Sequence, residues 1–284
     1  MKNKDRVRTT LRVASLQVAV VAAVLGSASL AAAHDFFLVP GAFPYTVGTD
    51  VEVSGQTSSR FPASVAPVAL ARIATATMIG ADGESRITDL SHRGTSLLLR
   101  ARPVGAGQRI VAVSLVPRSS RQTGEAFLRW LKLEGASDAA AHIERDGAVR
   151  AADSITRTDT KHAKTLIEVG SGGPRVFSRA SGQAIEFMPD TDPSTLRPGD
   201  SIGFRVTFRG QPLPGVAVHA GPEAPADTTV RSEPDVHLVS DSLGRVRMAV
   251  PPAGLWNIRT INVVQAGPAA WETHWATFVF RAGR

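Results

Sequence analysis

Short apolar runs with a period of two, each closed by glycine or proline, set the limits on what this chain can fold into. The clearest is Ser201-Ile202-Gly203-Phe204-Arg205-Val206-Thr207-Phe208, in which Ile202, Phe204, Val206 and Phe208 share one parity. Successive side chains of an extended chain point to opposite faces, so these four belong to one buried face. Further runs stand at Val51-Glu52-Val53, Val68-Ala69-Leu70, Thr77-Met78-Ile79, Leu97-Leu98-Leu99 and Ile110-Val111-Ala112-Val113. Turn signals part them at Pro40-Gly41, Ala81-Asp82-Gly83, His92-Arg93-Gly94 and Gly105-Ala106-Gly107. Such punctuation predicts an antiparallel sandwich. From about Gly182 the pattern resumes, with strands expected at Ala184–Pro189, Ser201–Phe208, Val216–Val218, Ile258–Val264 and Trp271–Phe280, and another entered from Asp241–Val246. A hairpin turn is expected at Arg209-Gly210-Gln211-Pro212. About seven short strands of this kind imply an immunoglobulin-like sandwich.

Between the two β regions the period changes. Phe127, Leu128, Trp130 and Leu131 recur at helical spacing within Arg121–Glu134, with Thr123 and Glu125 near the start and Gly135 as a stop. A second helical turn is expected at Asp138–Ile143, followed by a polar, irregular stretch from Glu144 to Thr160. The apolar Lys161–Val169 runs into Gly170-Ser171-Gly172-Gly173-Pro174, which reads as a linker. It lacks the Gly-Lys-Ser/Thr ending of a phosphate loop.

The first twelve residues carry Lys2, Lys4, Arg6, Arg8 and Arg12 against Asp5, and an apolar run from Val13 to Leu30 follows. A basic start, an apolar middle and a small-residue exit predict a secretory signal. With Ala31 at −3 and Ala33 at −1, cleavage leaves His34 first; cleavage after Ala31 leaves Ala32-Ala33-His34. No twin-arginine pair is present, and with no cysteine the chain has neither a lipid-anchored Cys nor disulfides. The leader accounts for +4 of the formal +7, so the mature 251 residues of 284 carry only +3. A modest spread of charge on an exported chain argues against nucleic acid. No later run is long enough for a membrane span, so no stable membrane insertion is expected after cleavage.

The reading is thus mainly β: two antiparallel β-sandwich domains, the second immunoglobulin-like, joined by a short helical segment. Its divisions are a signal peptide at 1–33, an N-terminal β-sandwich at 34–118, a helical and irregular connector with linker at 119–174, and a C-terminal β-sandwich at 175–284.

Four stretches carry a family resemblance. They are Ala33-His34-Asp35-Phe36-Phe37-Leu38-Val39-Pro40; Phe127–Gly135; Ala163–Gly170; and the C-terminal set Gly210–Val216, Asp241–Arg245 and Trp271-Glu272-Thr273-His274-Trp275-Ala276-Thr277-Phe278. They resemble a family of exported bacterial proteins of unknown function, whose members are often described as periplasmic components of cobalt or nickel ABC uptake systems. Two features depart from it: His162 stands where an aromatic is expected before Ala-Lys, and Ala220–Asp235 is rich in Pro and Ala.

An N-terminal His34 can chelate through its amine and ring together, and imidazole suits copper, nickel and zinc. On the Trp271–Trp275 strand, alternation puts Glu272 and His274 on one face and the tryptophans on the other. That pair can share a metal or simply hydrogen-bond. His237 is a further candidate ligand; His219 is expected to be exposed, His92 and His142 to lie on the surface, and His162 to replace a core-edge aromatic. Asp35 is read as solvating the first strand. No spacing matches a zinc protease helix, a cysteine site or a calcium loop, and no Gly-x-Ser-x-Gly elbow occurs.

The expectation is a non-enzymatic periplasmic or secreted protein. Its metal ligands would be His34, Glu272, His274 and His237, provided the mature N-terminus folds onto the C-terminal sheet. With no Cys and four Met, the donors suit a divalent transition metal, nickel or cobalt, with copper or zinc compatible. Its partner would be an inner-membrane uptake component. Two alternatives stand beside it: an exported binding or adhesion module without metal, and a copper-dependent oxidative enzyme using the N-terminal histidine.

Overall fold

A computed structural model describes residues 34–151, 153–223, 236–249 and 254–282. The first half runs β1 (Asp35–Pro40), β2 (Val51–Ser58), β3 (Ile73–Gly80), β4 (Gly83–Arg86), β5 (Asp89–Arg93), β6 (Ser96–Ala101), β7 (Gly107–Leu115), β8 (Arg118–Thr123), α1 (Gly124–Leu133), α2 (Ser137–Arg145) and β9 (Ser154–Val169). The second runs β10 (Ile185–Pro189), β11 (Ser201–Phe208), β12 (Gln211–Pro212), β13 (Ala217–Pro222), β14 (Val236–Val239), β15 (Arg245–Ala249), β16 (Gly254–Gly267) and β17 (Ala270–Ala282). The chain is mainly β, as the alternation implies.

A nine-stranded sheet is the spine, in the order β14-β13-β16-β17-β9-β7-β3-β4, with β8 also paired to β9. β9 runs parallel to β17, and its other edge takes β7 and then β8, both antiparallel. Parity on this sheet sorts the core. On one face Ala112, Leu166, Ala276, Phe278 and Phe280 meet β10, β11 and β15. Phe204, of the run that opened the sequence argument, lies 6.1 Å from the Phe278 ring and 5.5 Å from that of Phe280. On the other face Val111, Val113, Ala163 and Ile167 meet β1, β2 and β6. Farther along the same face, Trp271, Trp275 and Ile261 receive the apolar side of α1 and α2. Among the described residues no helix is long and apolar enough to cross a membrane.

Three local expectations differ from the structure. The stretch Glu144–Thr160 is irregular only in its middle: α2 ends at Arg145 and β9 begins at Ser154. Its period of two is hidden because the buried positions hold charges, Arg157 and Asp159, which pair at 2.8 Å. Gly170–Pro174 is a packed turn rather than a loose linker. Gln108 donates its backbone N–H to Pro174 O at 2.9 Å, and a Cβ on Gly173 would stand 2.8 Å from the Ala106 backbone. The Val68-Ala69-Leu70 run is not a strand; Leu70–Arg72 form a single 3-10 turn instead. The spine also takes strands from both sides of the 119–174 connector, which itself supplies β8 and β9.

The helix expected over Arg121–Glu134 starts at Gly124 because β8 occupies the preceding residues. Thr123 Oγ1 accepts the Ala126 N–H at 3.2 Å and caps it. Thr123→Ala is expected to lose about 1 kcal/mol of stability, read from the urea midpoint at unchanged slope.

Candidate metal centre

Glu272 and His274 share a face of β17, as alternation requires, and Trp271 and Trp275 take the other. His274 Nε2 lies 3.1 Å from Glu272 Oε2, and Arg209 donates to the same oxygen at 3.3 Å. The Phe208 ring covers the imidazole at 4.9 Å, and His274 is only 7% exposed. His162 joins this face from β9. It is buried, and its Nδ1 bonds Ser114 Oγ at 2.8 Å. Burial, helped by nearby His274, lowers the His162 pKa to about 4. Glu272 is thus shared between His274 and Arg209.

The expected grouping of all four ligands is not formed, because a β-sheet has two faces. β1 packs on the opposite side of β17: Thr277 Oγ1 donates to Phe36 O at 2.7 Å, and Arg259 Nε lies 3.4 Å from Asp35 Oδ2. Asp35 is thus buried beside Arg259 rather than solvated. His34 directly precedes β1 and is half-buried. The pairing register His219↔His237 and His219↔Arg259↔Thr277 places His237 on the β1 face, away from Glu272 and His274. The leader and its cleavage site lie outside the described residues, as does most of Ala220–Asp235. His92 lies in β5 rather than in a turn, and both it and His142 are exposed.

What His237 does meet is His219, the residue expected to be exposed. Their rings stand 4.6 Å apart and nearly perpendicular, at 86°. His219 is 8% exposed, because the α1–α2 junction covers this face of β13. His219 Nε2 lies 2.8 Å from Gly135 O. A carbonyl only accepts, so Nε2 carries the proton and Nδ1 the lone pair. Gly135 closes α1 at φ 89°, and a Cβ there would stand 2.8 Å from that same Nε2, so glycine is needed on both counts. Burial lowers the His219 pKa; the Gly135 carbonyl opposes this, and Arg259 and His237 add to it. Burial therefore favours the neutral ring, and its Nδ1 is buried with no hydrogen-bond partner.

A cleft of about 520 Å³ opens here, with Lys132, Leu133, Ser137, His237, Val239 and Arg259 on its walls beside His219. An imidazole that gives its distal N–H to a carbonyl and keeps a neutral nitrogen is the usual outer support of a metal-ligating histidine. Among the described residues no group of three or more His, Cys, Asp or Glu side chains is arranged to hold a metal ion. His219 was hidden in the sequence by its place opposite Val218. The signal that could have found it is the apolar stripe of Phe127, Leu128 and Leu131, which must cover some sheet face.

Among solved structures the chain is similar to trypsin-activated alpha-2-macroglobulin from Escherichia coli, with 12% identity and a TM-score of 0.25, covering 87% of this chain and 15% of that one. The D0-D1 domain of intimin is 8% identical, with a TM-score of 0.19 and coverage of 86% and 97%. The Yersinia pseudotuberculosis adhesin InvE is 11% identical, with a TM-score of 0.20 and coverage of 87% and 59%. The chain therefore spans about 15% of the length of the macroglobulin it matches. No curated protein matches it. A family match extends over residues 31–263, through β1, both helices and the strands that carry His219 and His237, and the chain belongs to that family, described as Domain of unknown function (DUF4198).

Proposed function

We propose that the exported form of this chain, periplasmic or secreted, binds a divalent transition-metal ion at the cleft between His219 and His237. It passes the ion to an inner-membrane uptake component and performs no catalysis of its own. The observation that carries this reading is the placement of His219: its Nε2 lies 2.8 Å from Gly135 O, and its Nδ1 is buried and unpartnered beside a second imidazole. Nitrogen donors of this kind suit nickel, cobalt, copper or zinc, and the family resemblance of the sequence favours nickel or cobalt. His34 contributes a separate amine-and-ring chelate once the leader is removed. Glu272 and His274 are the weaker candidates, since the carboxylate is already shared between His274 and Arg209.

The test is calorimetric titration of the processed protein with nickel, cobalt, copper and zinc, its N-terminus established by intact mass. His237→Ala is expected to weaken binding by roughly tenfold or more. It leaves the metal-free melting point in place, because His237 is exposed. His34→Ala, titrated in parallel, separates the terminal chelate from the cleft. A site of real affinity also raises the melting point as metal is added. Equal, weak binding by all three proteins would remove the metal reading and leave an exported binding or adhesion module. Copper-dependent consumption of oxygen or peroxide would point instead to the oxidative enzyme.

A further inference from the structure

From the open edge of the spine we infer that two copies of this chain join through β8, antiparallel about a two-fold axis, with Ser120 facing the partner's Ser120. The direction of the β8 backbone follows from its neighbours. Thr156 donates its N–H to Ala269 O at 2.8 Å, toward β17, so the even residues of β9 turn to β17 and the odd ones to β8. Asp153 agrees, since its carbonyl accepts the Gly124 N–H at 2.8 Å. Asp159, Arg157 and Ile155 stand opposite Arg118, Ser120 and Gln122, which therefore make the ladder to β9. Ser119 and Arg121 turn their N–H and C=O outward, and Thr123 its N–H. The Thr123 carbonyl, as helix cap, enters α1, so the edge ends there. β8 pairs with no other strand, and these outward groups have no hydrogen-bond partner among the described residues. Ser119, Arg121 and Thr123 are all exposed. An open edge of this kind is a template for a further strand.

The edge is complementary to itself. A two-fold axis normal to the sheet preserves its faces, so residues of equal parity pair. Centring on Ser120 pairs Ser119 with the partner's Arg121, and the partner's Ser119 with Arg121. Both residues of each pair point outward, so each pair exchanges both of its backbone bonds. Centring on Arg121 instead sets the two arginines directly opposite one another, which is destabilising. Centring on Ser119 sets Arg121 against the partner's Pro117, which has no N–H to return. In the Ser120 register Arg121 meets serine on one face and Arg118 meets glutamine on the other. Edge arginines repel a wrongly placed strand; here no arginine faces another. The pairing joins two nine-stranded spines into one sheet and consumes both copies of the edge, so it closes at the dimer.

The test is sedimentation equilibrium of the processed, metal-free protein. A small interface of this kind is expected to give a dimer with a dissociation constant on the order of tens of micromolar. Arg121→Pro removes the outward N–H and leaves the β9 ladder intact. It is expected to weaken the dimer roughly a hundredfold, and to melt with the wild type at low concentration, where both are monomers. Arg121→Ala keeps the N–H and the dimer. The register has its own test, because the chain has no cysteine. Ser119→Cys with Arg121→Cys in one chain places two thiols opposite two, about 5.5 Å apart at Cα. Diamide, taking up two hydrogens for each disulfide formed, is expected to yield a covalent dimer from the double variant and not from either single one. A wild type that stays monomeric at every concentration overturns the inference and leaves the edge to a strand of a different protein. A dimer that survives Arg121→Pro places the interface elsewhere, and one lost equally in Arg121→Ala assigns it to the side chain; either result also overturns it. If Arg121→Pro does not fold, the cross-linking pattern decides alone: single variants that link as readily as the double one refute the pairing.

Discussion

Lys164→Met is expected to remove about 3–5 kcal/mol of stability, the usual result of leaving one member of a buried ion pair without its partner. The Lys164 side chain is 1% exposed and its Nζ lies 2.8 Å from Glu186 Oε2, itself 5% exposed. Glu186 also accepts the Ser181 N–H and O–H, both at 2.8 Å, and the Gly182 N–H at 3.2 Å. Burial pushes the Lys164 ammonium pKa down while Glu186 opposes it. For Glu186 burial alone would push the pKa up, but Lys164 and Ser181 outweigh it and hold the carboxyl below its ordinary value. In the variant the Glu186 charge keeps its backbone donors and loses its counter-ion inside the core. The double variant Lys164→Met with Glu186→Gln retains an acceptor for Ser181 without the charge and is expected to recover most of the loss. Urea unfolding of the single and double variants measures both. A loss under about 1 kcal/mol for Lys164→Met would mean that the pair is solvated and that the two sheets it joins are not closely packed.

Acidification in metal-free buffer is expected to destabilise the protein above the range where ordinary carboxylates titrate. The His162 pKa falls from 6.5 to about 4 in the folded chain, mainly through burial. Below pH 6.5 the unfolded chain therefore binds a proton that the folded chain refuses, and stability declines as pH falls until about pH 4, where both forms are protonated. The 2.5-unit gap from 6.5 to about 4 corresponds to about 3 kcal/mol in all, of which about 2 is lost between about pH 7 and pH 5. The groups facing His162 are Ser114 from β7, His274 from β17 and Glu186 from β10. His162→Phe supplies the aromatic that the family resemblance implies here and removes the titration. Its stability should fall less from about pH 7 to pH 5 than that of the wild type, the remaining decline belonging to His219, whose pKa burial also lowers. Parallel curves for the two proteins would show that another group carries the acid dependence.

Much of the architecture was legible because short-range periodicity reports burial directly. Ile202, Phe204 and Val206 are all buried in one core, as their shared parity required. The hairpin at Arg209-Gly210 forms with φ of 51° and 77°, the left-handed pair that a two-residue turn demands. The α1 stripe and the opposition of Glu272 and His274 to the two tryptophans follow from period alone. β9 was legible only in part. Its charged residues Arg157, Asp159 and Lys161 occupy buried positions, so the pattern read as polar chain although the backbone is continuous strand.

The sequence by itself determined the strand-rich class, the positions of the helices, the side of each strand on which a residue lies, and a set of histidines able to ligate. Only the tertiary structure decided which of those sides face each other. Parallel pairing of β17 with β9 merged strands from both halves into one spine, and the pairing register placed His237 with His219 and apart from Glu272 and His274. The α1–α2 junction then covered His219 and set its proton on Nε2 through Gly135. Local alternation says only that a residue is up or down on its own strand. Which neighbour shares its face depends on pairings made across more than a hundred residues of chain, and the energy of those pairings lies in packing that no short stretch contains.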